Sequence, residues 1–80
     1  MFTEEENCLK ANFKFEDFIT AFSFMTEVAF WAEKQAHHPN WTNVYNTVKI
    51  ELTTHDAGNT VTSKDHKLAK KITQLYAKYQ

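Results

Sequence analysis

Arginine is absent from the 80 residues, and all nine basic side chains are lysines. Guanidinium is the usual bidentate reader of phosphate and of guanine edges, so a surface built for nucleic acid is not expected. Cys8 is the only cysteine; no disulfide can close within the chain, which suits a reducing compartment. One Gly and one Pro leave few breakpoints, so the elements should be few and long. The chain has no Gly-rich loop able to cradle phosphates, which removes nucleotide hydrolases of the P-loop type. No apolar run approaches the roughly 20 residues of a membrane-spanning helix. The start carries no cationic stretch followed by an apolar one, so no secretory signal is expected and a cytoplasmic location is. Asn40-Trp41-Thr42 is then a chance match to the glycosylation pattern.

What the chain has in excess is aromatic: seven Phe, three Tyr and two Trp. In so short a chain such residues either form the core or cover a subunit interface. Net charge is −1, but it is unevenly spread. Glu4, Glu5 and Glu6 open the chain, and Lys64, Lys67, Lys70, Lys71 and Lys78 lie near its end. A solvated helix face accounts for the lysines more simply than a polyanion site does.

The length fits one domain, residues 1–80. Phe13 and Phe15 flank Lys14 in the segment 8–15, which reads as one or two short strands. From Asp17 to Gln35 the spacing is helical, with Glu16 and Asp17 favoured in a first turn by the helix dipole. Phe18, Phe22, Met25, Ala29 and Ala32 form one apolar line, and Ala21, Phe24, Val28 and Trp31 form a second beside it. That arc is wider than one sheet face covers, so the helix should pack on a sheet and also meet a further surface, such as another copy of the chain. Pro39 is expected to stop the helix. In the segment 43–55, Val48, Ile50 and Leu52 alternate with Lys49, Glu51 and Thr53, the pattern of a half-buried strand; Tyr45-Asn46 marks a bend or a separate short strand. A loop around Gly58 follows. Thr62 and Asp65 have capping-box spacing before a last helix whose inner face carries Leu68, Ile72, Leu75 and Tyr79. The order predicts an α+β fold, an antiparallel sheet with two long helices packed on one face.

Three of the four histidines, His37, His38 and His55, follow long regular elements, where distant residues can converge. Imidazole both gives and takes protons near neutral pH. Glu33 precedes His37 by four, so one helical turn would place it beside that ring. Taken alone, His37-His38-Pro39 is also what a plain surface helix end looks like. A metal site is not expected: no His-Glu-x-x-His occurs, and adjacent histidines rarely hold one ion by themselves. Cys8 has no base predictably near it, and His66 falls in an exposed first turn.

Glu33-Lys34, His37-His38-Pro39, Tyr45, His55 and Asp65, at these intervals, resemble the signature of the pterin-4a-carbinolamine dehydratases. The similarity runs from about Asn7 into the last helix. It implies dehydration of 4a-hydroxytetrahydrobiopterin to quinonoid dihydropterin, which recycles tetrahydropterin. The reaction is a hydro-lyase step without redox change, so no metal and no cofactor are implied. The resemblance implies His37, His38 and His55 as the catalytic set, with His38 as acid and His37 or His55 as base. It also implies substrate contacts at Glu33, Pro39, Thr54, Asp56 and Ala57, and Trp41 suits a wall for the flat ring. Asp65 divides between a helix cap and a place near the imidazoles. A homodimer or homotetramer is implied, with a non-catalytic dimerisation or coactivator module for a transcription factor as the alternative function. The chain departs from the family in two places. Its N-terminal part is short, where members commonly carry an extra helix and strand, so a sheet edge is expected to be missing. Ala36 stands where some members have an acid, which leaves Glu33 as the expected orienter of the imidazoles.

Overall fold

The computed structural model describes residues 1–80. In chain order the elements are β1 (Thr3–Glu5), β2 (Cys8–Lys14), α1 (Phe18–Lys34), β3 (Asn40–Val44), β4 (Thr47–Leu52), a 3-10 turn (His55–Ala57), α2 (Ser63–Tyr76) and a closing 3-10 turn (Ala77–Tyr79). The sheet is antiparallel with strand order β1-β2-β4-β3, and the fold is α+β as the spacing predicts. No helix is long and apolar enough to cross a membrane.

The sheet's inner face follows from strict alternation. Leu9, Ala11 and Phe13 of β2 lie opposite Leu52, Ile50 and Val48 of β4, and all six are buried. Lys10, Asn12, Lys49 and Glu51 therefore point the other way, because successive side chains alternate faces. Helix α1 covers the inner face with Ala21, Phe24, Val28 and Ala32, and α2 adds Leu68, Ala69, Ile72, Leu75 and Tyr76. Aromatic rings knit the sheet to both helices: Phe13 lies 5.2 Å from Phe24 and 4.8 Å from Tyr76 between centroids, in tilted and edge-on arrangements that favour the ring quadrupoles.

Several expectations need correction. The short acidic start, where a sheet edge was expected to be missing, itself forms an edge strand: Thr3, Glu4 and Glu5 pair with Lys10, Leu9 and Cys8. The connecting turn puts both Glu6 (φ 52°) and Asn7 (φ 64°) in the left-handed region, which matches the twist of a two-residue hairpin. Tyr45-Asn46 is likewise a hairpin turn, with Tyr45 at φ 50°, so the segment 43–55 holds parts of two strands. Asp17 sits just before α1 rather than inside its first turn; its Oδ1 accepts from the Thr20 amide at 2.8 Å, which satisfies one orphan donor. The two apolar lines of α1 do not divide cleanly between inside and outside. Ala21, Phe24 and Val28 of the second line enter the core together with Ala32 of the first, while Phe18 and Phe22 of the first stay exposed, as do Ile19 at 76% and Phe30 at 72%, which lie on neither line. No loop of the chain covers them.

Pro39 does not end α1. The helix stops at Lys34, five residues earlier, through a Schellman motif. Ala36 turns left-handed at φ 53°, its amide donates to the Glu33 carbonyl at 3.0 Å, and the His37 amide donates to the Ala32 carbonyl at 3.0 Å. A non-glycine residue in this conformation costs about 1–2 kcal/mol. The reversal it makes aims His37 back under the helix, and Pro39 merely leads into β3.

Candidate functional site

One end of the molecule gathers the C-terminal end of α1, the turn after β4 and the first turn of α2. A polar cleft of about 420 Å³ opens there. His37, His38 and Pro39 line one side; Thr54, His55 and Asp56 line another. Ala36, Asn40, Thr53 and Lys64 complete it. All three imidazoles singled out in the sequence thus face one space, although His55 is 17 residues past His38.

The best-defined part is a buried hydrogen-bond chain. The Asp65 side chain is 0% exposed. Its Oδ1 meets His37 Nε2 at 2.5 Å, and its Oδ2 accepts from Thr54 Oγ1 at 2.7 Å and from the Thr62 amide at 2.8 Å. Burial alone would raise the Asp65 pKa. The hydrogen bonds from His37, the Thr62 amide and Thr54 outweigh it and hold the carboxyl below its ordinary 3.8. An ionised carboxylate only accepts, so His37 Nε2 must carry the proton, which leaves Nδ1 as the ring's second nitrogen. Proton direction along the rest of the chain follows in the same way. Thr54 gives its one hydroxyl proton to Asp65, so Thr62 Oγ1, 2.7 Å away, must donate to Thr54. Thr62 Oγ1 in turn accepts from the Lys64 amide at 3.3 Å.

Asp65 has two jobs at once. It closes the capping box of α2 with Thr62, which satisfies backbone donors at the helix start, and it anchors His37. The two readings left open by the sequence are not alternatives.

Glu33 is not beside His37. The left-handed turn at Ala36 removes His37 from the helical line, and Glu33 Oε1 instead lies 2.8 Å from His38 Nε2. That pair is open to solvent, with His38 66% and Glu33 81% exposed in their side chains, and Glu33 does not line the cleft. Trp41 and Ala57 are also outside the lining. Trp41 pairs across from Ile50 and packs half-buried against the core, so it is no wall of this cleft. Thr54 lines the cleft, but its hydroxyl is committed to Asp65 and Thr62. No group of three His, Cys, Asp or Glu side chains is arranged to hold a metal ion.

Sequence reasoning missed Lys64, Asn40 and Thr53. Lys64 could have been found: it sits directly before Asp65 at a recognisable capping box, and one of the two readings of Asp65 placed it near the imidazoles. Asn40 and Thr53 carried no signal beyond adjacency to the motif.

Residues 2–75 match the family model described as "Pterin 4 alpha carbinolamine dehydratase". The chain belongs to that family. A Prochlorococcus marinus relative named "Putative pterin-4-alpha-carbinolamine dehydratase" is 54% identical over 71 residues, 89% of this chain and 74% of the relative. A crystal structure from Brucella melitensis, described as a transcriptional coactivator/pterin dehydratase, superposes with a TM-score of 0.89 at 42% identity, covering 94% of this chain and 81% of that one. A pterin dehydratase-like protein described as a RuBisCO assembly factor of the alpha-carboxysome shares the fold at a TM-score of 0.76, with 19% identity and 95% and 87% coverage. Membership accounts for the histidine spacing and the α+β fold together; the last neighbour shows that this fold also supports roles other than dehydration.

Proposed function

We propose that the chain is a 4a-hydroxytetrahydrobiopterin dehydratase, a hydro-lyase that removes water from the pterin-4a-carbinolamine by histidine acid/base catalysis. The observation that carries this reading is the convergence of His37, His38 and His55 on one polar cleft, with His37 held by buried Asp65.

The chemistry asks for two proton transfers. The 4a-hydroxyl must accept a proton to leave as water, and a ring N–H must lose one; the sum is loss of one water without oxidation. His37 suits the base. Its Nε2–H is spent on Asp65, so Nδ1 is the nitrogen left to accept a proton. His38 suits the acid, because its exposed ring can be reprotonated from solvent between turnovers. His55 bears no side-chain hydrogen bond and can stand in as the second base. Positioned groups of this kind typically each contribute about 10²–10⁴-fold. Asp56 and Pro39 would contact the ring as the resemblance implies.

The test is a coupled hydroxylase assay that follows loss of 4a-hydroxypterin absorbance. Wild-type protein is expected to exceed the spontaneous rate, and His38→Ala or His55→Ala to lose most of the gain. Turnover no faster than the uncatalysed dehydration would refute the enzyme reading.

One observation favours an interface as well. Phe18, Ile19, Phe22 and Phe30 expose apolar surface along one side of α1, more than an isolated surface residue needs. We read a second copy of the chain as its occupant, since one helix stripe can meet itself about a twofold axis. A homodimer or homotetramer built this way is compatible with catalysis at the far end of α1. A transcription factor docked on the same stripe is the alternative.

A further inference from the structure

We infer that Lys64 selects ligands whose side chain carries an anionic group, a phosphate or a carboxylate. The inference rests on the pterin reading above and adds to it a preference among pterin side chains that goes beyond biopterin, whose dihydroxypropyl group is neutral.

Lys64 lines the cleft as the second residue of α2. Helix stability does not explain a cation there: the first turn is the positive end of the helix dipole, which disfavours lysine. Nor does an ion pair explain it. Lysine–carboxylate ion pairs join Lys10 to Glu6 and Lys78 to Glu27, the carboxylates of Asp65 and Glu33 face imidazoles, and Lys64 Nζ takes part in no ion pair or hydrogen bond while its amide donates to Thr62 Oγ1.

The carboxylates around the cleft are otherwise occupied. Asp65 is saturated by three donors, and Glu33 faces His38. Asp56 is the one carboxylate lining the cleft, and it makes no ion pair with Lys64. The cleft thus offers one free ammonium and one free carboxylate. The 2-amino and N3–H edge of a pterin consists of donors, which a carboxylate such as Asp56 accepts. The neutral ring has no anion for Lys64. The Lys64 side chain is exposed, so with Asp56 on the 2-amino and N3–H edge the complement of the ammonium is a charge on the substituent carried by the other ring. A charge-assisted contact at a partly solvated rim supports a modest preference, about three- to tenfold.

The experiment measures binding of neopterin, neopterin 3′-monophosphate and 6-carboxypterin by their own fluorescence, with circular dichroism to confirm folding. Wild-type protein is expected to bind the phosphate compound about three- to tenfold more tightly than neopterin, with the ratio shrinking as salt is raised. The ratio should fall to about one in Lys64→Ala and below one in Lys64→Glu. It should persist in Lys67→Ala, which alters a lysine of the same helix outside the cleft. Preference shared by 6-carboxypterin assigns a general anion, and preference confined to the phosphate assigns a phosphate. Equal affinity for all three compounds in wild type, or a preference that survives Lys64→Ala, overturns this inference alone. No binding of any of them overturns the pterin reading and this inference with it.

Discussion

Asp65→Asn is the most informative single change, because it keeps the shape of the side chain and alters what it can accept. The native carboxylate takes hydrogen bonds from His37 Nε2, Thr54 Oγ1 and the Thr62 amide at 2.5–2.8 Å with no exposure to water. Asparagine retains one acceptor oxygen. Placing it toward Thr54 and Thr62 preserves the helix cap and turns the amide NH2 toward His37. Nε2 must then accept, and the ring proton moves to Nδ1, the nitrogen proposed as the base. Removing one charge-assisted bond of this kind costs about 1.5–3 kcal/mol. In a domain of this size each kcal/mol lowers Tm by about 4–8 °C, so a fall of about 6–24 °C is expected at pH 7. The activity loss should be larger than the stability loss implies, about 10²–10⁴-fold in kcat at a temperature where the variant is folded. Nitrogen-15 shifts of the His37 ring report the tautomer directly. The sign of the pH dependence is also fixed. The Asp65 pKa is depressed on folding, so its contribution is present above the ordinary carboxylate value near 3.8 and is lost as pH falls through the lower folded value. Wild-type and Asp65→Asn stabilities should therefore converge in acid. An Asn variant with unchanged kcat, alongside an inactive His37→Ala, would refute the argument that the carboxylate sets the tautomer.

Three further outcomes follow from other contacts. Ala36→Gly should raise stability by about 0.5–1 kcal/mol in urea titration, because glycine takes the left-handed conformation without the Cβ penalty, a gain partly offset by its greater freedom in the unfolded chain; a loss above about 1 kcal/mol would contradict the strain assigned there. Glu27 accepts from Lys78 Nζ at 2.6 Å and from the Tyr79 hydroxyl, and that contact, with burial, pushes the Tyr79 phenol up to about 12. Its stabilising contribution should hold below pH 10 and fade as pH rises toward 12; in ultraviolet titration Glu27→Gln should return Tyr79 toward 10, the ordinary value, and an unshifted curve would dismiss the contact. Phe22→Glu should dissociate the proposed self-assembly through α1 while the monomer stays folded, as read by light scattering; a wild-type monomer at every concentration would eliminate that interface.

The parts of the fold that were legible are those where one periodicity decides the outcome. Val48, Ile50 and Leu52 alternate, and a strand with a period of two has only one way to bury all three. Leu68, Ile72 and Leu75 recur at helical spacing on an otherwise polar segment, so α2 has one inner face. Helix α1 has apolar residues over most of its circumference, and there the sequence alone does not say which line is inside. Packing chose Ala21, Phe24, Val28 and Ala32, small residues alternating with large ones where the helix lies on the sheet. It left the Phe18–Phe22 side outward.

The site was legible as a set of residue types and illegible as a set of pairs, and one backbone angle explains most of the difference. Helical extrapolation from Glu33 reaches His37. The left-handed turn at Ala36 ends that line, hands Glu33 to His38, and swings His37 inward to Asp65, which is 28 residues away. Nothing in the side chain of alanine announces such a turn. The same turn explains why Asp65 could not be assigned to one role. By bringing His37 to the first turn of α2, it lets a single carboxylate serve as helix cap and imidazole anchor together. Through Asp65 the cap of α2 and the orientation of His37 are linked, so a change that frays the cap at Thr62 should also loosen the ring proposed to act as base.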